Sequence, residues 1–114
     1  MTREEILTME PGRELDALIE QHVFGKRVEW IQDEVTDPYP IVPAEYGYIV
    51  ENYSSDISAA WEVVEKRNRW FSLQWNGLEY VCEIGIDAPC KIGAKSAPEA
   101  ICKAALLAIL PGEE

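Results

Sequence analysis

The sequence predicts an α+β fold in three layers, helix, sheet, helix. Three observations carry that expectation. Residues 70–84 alternate apolar and polar side chains on both sides of Asn76-Gly77, the pattern of a β-hairpin. Lys91-Ile92-Gly93-Ala94-Lys95 then offers a third strand, which makes the hairpin an antiparallel meander. Before and after it lie segments whose apolar residues recur three and four apart, the period of amphipathic helices. A small sheet with an apolar face needs such helices as its cover.

The elements follow in order. Thr2 with Glu5 fits a capping box, so a helix is expected from the start, with Ile6, Leu7 and Met9 as its apolar contacts. Glu10-Pro11-Gly12 interrupts it. A second helix starts there, because proline is tolerated in a first turn. Leu15, Leu18, Ile19 and His22 or Val23 form its inner stripe. Glu14, Asp16, Glu20 and Gln21 fill its outer face, and Gly25 is the left-handed stop. Lys26 to Tyr53 is irregular. Val28-Glu29-Trp30-Ile31 reads as a short strand, and Pro38, Pro40 and Pro43 hold Tyr39, Ile41 and Val42 extended; the plain expectation is a segment packed along the sheet edge. Ser54 or Ser55 caps the next helix, with Ile57, Ala60, Trp61 and Val64 on one stripe. The meander has Phe71, Leu73 and Trp75 on one face of its first strand and Leu78, Tyr80, Cys82 and Ile84 on one face of the second. Ser96 and Glu99, with Pro98 in the first turn, open a last helix that is apolar nearly all round after Lys103, so two of its sides are expected to be covered; Pro111-Gly112 stops it. The expected architecture is one domain over 1–114. A three-stranded antiparallel meander has the N-terminal helical segment on one face and two helices on the other.

Composition excludes several classes. The 114 residues hold 10 Lys and Arg against 21 Asp and Glu, a net charge of −11, the wrong sign for a general phosphate-backbone binder. The acidity is uneven: residues 1–53 carry 12 acidic and 4 basic side chains, residues 54–114 carry 9 and 6. The longest apolar run, Ala104 to Leu110, is too short for a bilayer, and Met1-Thr2-Arg3-Glu4-Glu5 lacks an apolar signal core, which points to the cytoplasm of a bacterial host. Cys82, Cys90 and Cys102 are odd in number and have no zinc-knuckle spacing, so free thiols are expected: Cys82 and Cys102 in the core, Cys90 in a loop. A nucleophilic thiol would need a base, and His22 is the sole histidine. No phosphate-cradling glycine loop, HExxH or nucleophile elbow is present. No catalysis, no metal and no cofactor are expected. The helix-strand-strand-strand-helix order is also that of double-stranded-RNA-binding domains, but Ala97, Pro98 and Glu99 stand where those domains place phosphate-binding cations.

Three blocks carry a resemblance to a known family: Met1 to Leu7 running into Glu10 to Leu18, Tyr53 to Glu65, and Ala97 to Leu107. In these the chain resembles the phage α-β-α sandwich ("ABA sandwich") domain family, found in small proteins of phages and prophages of Gram-positive bacteria. The match is weakest over residues 26–52. The resemblance implies the fold and brings no catalytic assignment with it.

The leading functional expectation is a phage or prophage accessory protein without catalysis, possessing a counter-defence role in which it binds and sequesters a nucleotide-like immune signal. Aromatics beside cations would serve that role: Trp70 with Arg67 and Arg69, plus Tyr39, Tyr46 and Tyr48, since purines stack on aromatic faces and phosphates pair with Arg. The alternative is an acidic protein-protein inhibitor of DNA-mimic type, directed at a host nucleic-acid-binding protein. Neither reading involves direct nucleic-acid or membrane binding. Exposed aromatics further predict a homo-oligomer, with a ligand pocket at the subunit interface.

Overall fold

The computed structural model describes residues 2–32, 34–35, 37–43, 47–67, 70–85 and 90–109, with Cys90 described by its backbone. The chain opens with α1 (Arg3–Thr8) and α2 (Arg13–His22). Three short strands follow, β1 (Glu29–Ile31), β2 (Tyr39–Val42) and β3 (Tyr48–Ile49). Then come α3 (Ile57–Arg67), the strands β4 (Phe71–Trp75), β5 (Tyr80–Ile84) and β6 (Cys90–Ala94), and α4 (Ala97–Ile109). The class is α+β, and β4-β5-β6 is the antiparallel meander that the alternating residues predict.

Helix α4 is the centre of the fold. Nine consecutive or near-consecutive residues from Pro98 to Leu107 are buried, because α4 touches α1, α2, α3, β5 and β6. Cys82, Ile84, Ile92 and Ala94 on the inner face of the meander join Ile101, Ala105 and Leu106 in one core. Ser96 Oγ accepts from the Glu99 amide at 3.3 Å and so caps α4. The Glu99 carboxylate turns away from the cap and meets Lys103 at 2.8 Å, while Lys103 Nζ also donates to the carbonyl of Leu7 at 3.1 Å. That second bond ties α1 to α4.

The opening arm is anchored on α4 rather than on the far face of the meander. The reason is chemical: the meander surface turned away from α4 presents Ser72, Gln74, Glu83 and Lys91 around Val81 and Gly93, a mostly polar face with little to gain from an apolar cover. The capping box on α1 forms as predicted, with Thr2 Oγ1 accepting from Glu5 N at 3.2 Å and Glu5 Oε1 accepting from Thr2 N at 2.8 Å. Gly25 takes a φ of 69° after α2, as its stop role requires.

Five further expectations are corrected. Residues 29–49 build a second three-stranded antiparallel sheet, order β1-β2-β3, instead of lying along the meander edge. Asp16 and Glu20, expected on the outer face of α2, are each 1% exposed, because α2 is covered by α4 on one side and by β2 and the chain around Tyr53 on another. On α3 the buried residues are Ala59, Ala60 and Val63, whereas Ile57 and Trp61 stay about half exposed, since α3 leans on α4 through its small side chains. The hairpin closes with Asn76 N donating to the carbonyl of Glu79, so Gly77 and Leu78 are its two central residues; Gly77 has the positive φ (95°), and Leu78 is in the turn, not the strand. Cys90 begins β6. The predicted stop at Pro111-Gly112 lies outside the described residues.

Candidate functional site

Two polar features involve α2. The first is buried. Asp16 Oδ1 accepts from the Ser54 amide at 2.8 Å and from Ser54 Oγ at 2.7 Å, and Ser54 Oγ in turn accepts from Gly12 N at 2.9 Å. One turn on, Glu20 accepts from the Tyr53 hydroxyl at 2.7 Å and from the Tyr48 hydroxyl at 3.3 Å. The Tyr53 ring also stacks on Phe24, centroids 5.3 Å apart. Burial pushes the Asp16 carboxyl above its usual range, against the lowering effect of the Ser54 donors and Arg13. Burial, reinforced by Glu20, raises both tyrosine hydroxyls. Asp16, Glu20, Ser54 and Tyr53 are sealed from solvent, so this network holds elements together and offers no access to a substrate.

The second feature is open. Between α1, α2 and β1 runs a groove of about 970 Å³, with an adjoining recess of about 310 Å³. Glu5, Glu10, Glu14 and Asp37 stand around the groove with Met9 and Trp30; Glu5, Met9, Glu14 and Trp30 line the recess too. Trp30 is 45% exposed. Arg13 is the cation among the described lining residues, and its guanidinium donates to the Val50 carbonyl at 3.0 Å. The break at Glu10-Pro11-Gly12 splits the two helices and opens the groove, so Glu5 reaches it from α1, Glu14 from α2, Glu10 from the turn between them and Asp37 from the segment before β2. An aromatic face ringed by carboxylates attracts cations and repels phosphate.

The residues singled out in the sequence do not gather. Arg69 and Tyr46 lie outside the described residues. Arg67 ends α3 and Trp70 precedes β4, with Trp70 51% exposed. Tyr39 and Tyr48 belong to the second sheet. Tyr48 is registered opposite Val42, three residues along β2 from Tyr39, so the two rings project from opposite faces of that sheet. None of these four described residues lines the groove. Sequence reasoning passed over Trp30 and the clustering of Glu10, Glu14 and Asp37; the signal was a tryptophan in a three-residue strand following an acid-rich helix break.

Cys82 and Cys102 are buried and unbridged, as expected. Burial raises the Cys82 thiol to about 12 and pushes Cys102 up as well, which opposes thiolate chemistry at either. The folded chain therefore keeps a proton that the unfolded chain releases above pH 9.0, the ordinary thiol value. Each step of pH from there favours the unfolded state, and Tyr48 and Tyr53 add in the same direction above 10.0. Urea unfolding at pH 11 is expected to show roughly 2–3 kcal/mol less stability from Cys82 than at pH 8, a loss that Cys82→Ala abolishes while the contributions of Cys102 and the tyrosines remain. Among the described residues no group of three or more His, Cys, Asp or Glu is placed to hold a metal, and no helix is long and apolar enough to cross a membrane.

These features define an α+β sandwich with an acidic surface groove. The chain belongs to the phage ABA sandwich domain family, whose model matches residues 17–106. It is similar to a crystal structure of a phage protein from Bacillus cereus ATCC 14579, at 29% identity and a TM-score of 0.70, over 87% of this chain and 91% of that one. A comparison with curated proteins found no match.

Proposed function

We propose that this phage domain is an accessory protein that works by binding rather than by catalysis, and that its acidic groove takes a cationic segment of a host nucleic-acid-binding protein. The observation that supports this reading is the placement of Glu10, Glu14, Asp37 and Trp30 around one open groove. Proteins that grip nucleic acid display Lys and Arg spaced to neutralise phosphates, and carboxylates on a rigid scaffold meet the same cations. The indole of Trp30 adds a cation-π face. Calorimetric titration with an Arg- and Lys-rich peptide tests it. Binding is expected to weaken about tenfold between low and physiological salt, and again about tenfold in Trp30→Ala. Equal binding by wild type and by the triple variant Glu10→Gln, Glu14→Gln, Asp37→Asn would sink the reading.

Sequestration of a nucleotide-like immune signal is the second reading, and the half-exposed indole of Trp70, three positions after Arg67 in the sequence, is what favours it. A thermal-shift screen with cyclic and linear nucleotides separates the two. Stabilisation by a nucleotide that disappears in Trp70→Ala, with the peptide inert, selects the nucleotide; the reverse selects the groove.

A further inference from the structure

Among the described residues, strand β4 is an open edge of the meander. Its bonding to β5 fixes which backbone groups face outward. Gly85 N donates to the Trp70 carbonyl and Asn76 N to the Glu79 carbonyl, so Trp70, Ser72, Gln74 and Asn76 spend their backbone groups on β5 and the hairpin. Phe71, Leu73 and Trp75 consequently aim their N–H and C=O groups away from the sheet. The same three residues place their side chains on the inner face, beside Trp61, which packs edge-on to Phe71 at 5.6 Å, and Tyr80, which lies 4.9 Å from Trp75. Trp61 and Trp75 are 46% and 57% exposed.

Natural sheets protect such edges with charge, proline, glycine or short length. The other strand edges here follow that rule. β6 presents Lys91 and Gly93, and β1 and β3 have three and two residues. β4 does not: residues 70–78 contain no charged side chain in a chain of net charge −11.

We infer that β4 pairs antiparallel with β4 of a second copy of this chain, about a two-fold axis at Leu73. In that register Leu73 meets its own copy and Phe71 meets the partner's Trp75 on both sides of the axis. These are the residues with outward backbone groups, and each such pair exchanges two hydrogen bonds. The side chains brought together are aromatic against aromatic, the favoured cross-strand pair. The two meanders become one continuous sheet, and the exposed surfaces of Trp61 and Trp75 are covered. Charge agrees. No carboxylate of residues 70–78 opposes the approach of two β4 edges, and Glu79 at the hairpin end lays its carboxylate against Gly93 of β6, away from β4. The half-exposed Trp61 and Trp75 contribute roughly 250 Å² per chain at the area a tryptophan can bury, about a third of the ~800 Å² per partner of a standard interface; the rest comes from the backbone and remaining side chains of β4.

Sedimentation of the intact chain gives the mass, and amide hydrogen exchange gives the surface. The expected result is twice the chain mass, with the amides of Phe71, Leu73 and Trp75 slowed about tenfold or more on concentration while Ser72 and Gln74 stay protected throughout. Trp75→Lys and, on the separate element α3, Trp61→Lys are each expected to return a folded monomer, whereas Lys91→Glu on the opposite edge leaves the dimer intact. A monomer at high concentration, a dimer that keeps Phe71, Leu73 and Trp75 in fast exchange, or pairing lost equally in Lys91→Glu would overturn it.

Discussion

Glu20→Ala is expected to destabilise the protein by about 4 kcal/mol, read from the urea midpoint at neutral pH. The substitution removes the acceptor for two tyrosine hydroxyls, one of them on Tyr53, which is 3% exposed. A buried hydroxyl left without a partner costs about 1–3 kcal/mol, and the lost methylenes leave a cavity that costs more. Part of this is offset, because a buried carboxylate no longer has to be desolvated. Glu20→Gln keeps an acceptor and is expected to lose only about 1 kcal/mol. The stronger check is a double-mutant cycle with Tyr53→Phe: a coupling of about 1–2 kcal/mol identifies the bond itself, and simple additivity would show that the loss comes from the cavity alone. Since Tyr48 lies on β3, the variant should also loosen the second sheet, and with it Trp30.

Leu106→Ala is expected to cost about 3–4 kcal/mol by the same measurement. Leu106 has no exposed surface and sits in the core formed where α4 meets the meander and the other helices. Truncating it leaves a cavity walled by several elements that cannot all move inward together, which places it in the upper part of the range for such changes. Leu78→Ala serves as the contrast. Leu78 is 87% exposed at the tip of the hairpin, and its loss is expected to cost less than about 0.5 kcal/mol in the folded chain.

Much of this architecture is written in local residue patterns. Thr2 and Glu5 announced their cap, Gly25 its stop, and the alternation from Phe71 to Ile84 its hairpin, because each depends on neighbours within a few positions. What stayed hidden depends on partners far along the chain. Asp16 and Glu20 look like solvent-facing acids on a helix wheel. They are buried because Ser54 and Tyr53, over thirty residues away, bring the matching donors. Trp61 reads as core from its spacing, yet α3 meets α4 through Ala59, Ala60 and Val63 and leaves the indole at the rim. The second sheet was obscured by its prolines, which mark extended chain without naming the strand it joins. The groove was hidden for the same reason: its acids belong to two helices and a loop, and its tryptophan to a strand.

The position of α4 in the chain has a consequence for how the protein is made. Every earlier element leans, directly or through a neighbour, on a helix that ends at Ile109. During synthesis, the first hundred residues emerge with their apolar faces but without the surface those faces were shaped to meet. A nascent chain of this kind stays open to chaperones until the final turns clear the ribosome, then closes in one cooperative event. Ribosome-bound intermediates arrested before Ile101 should accordingly be digested by protease as readily as an unfolded chain, despite already carrying both sheets in their sequence.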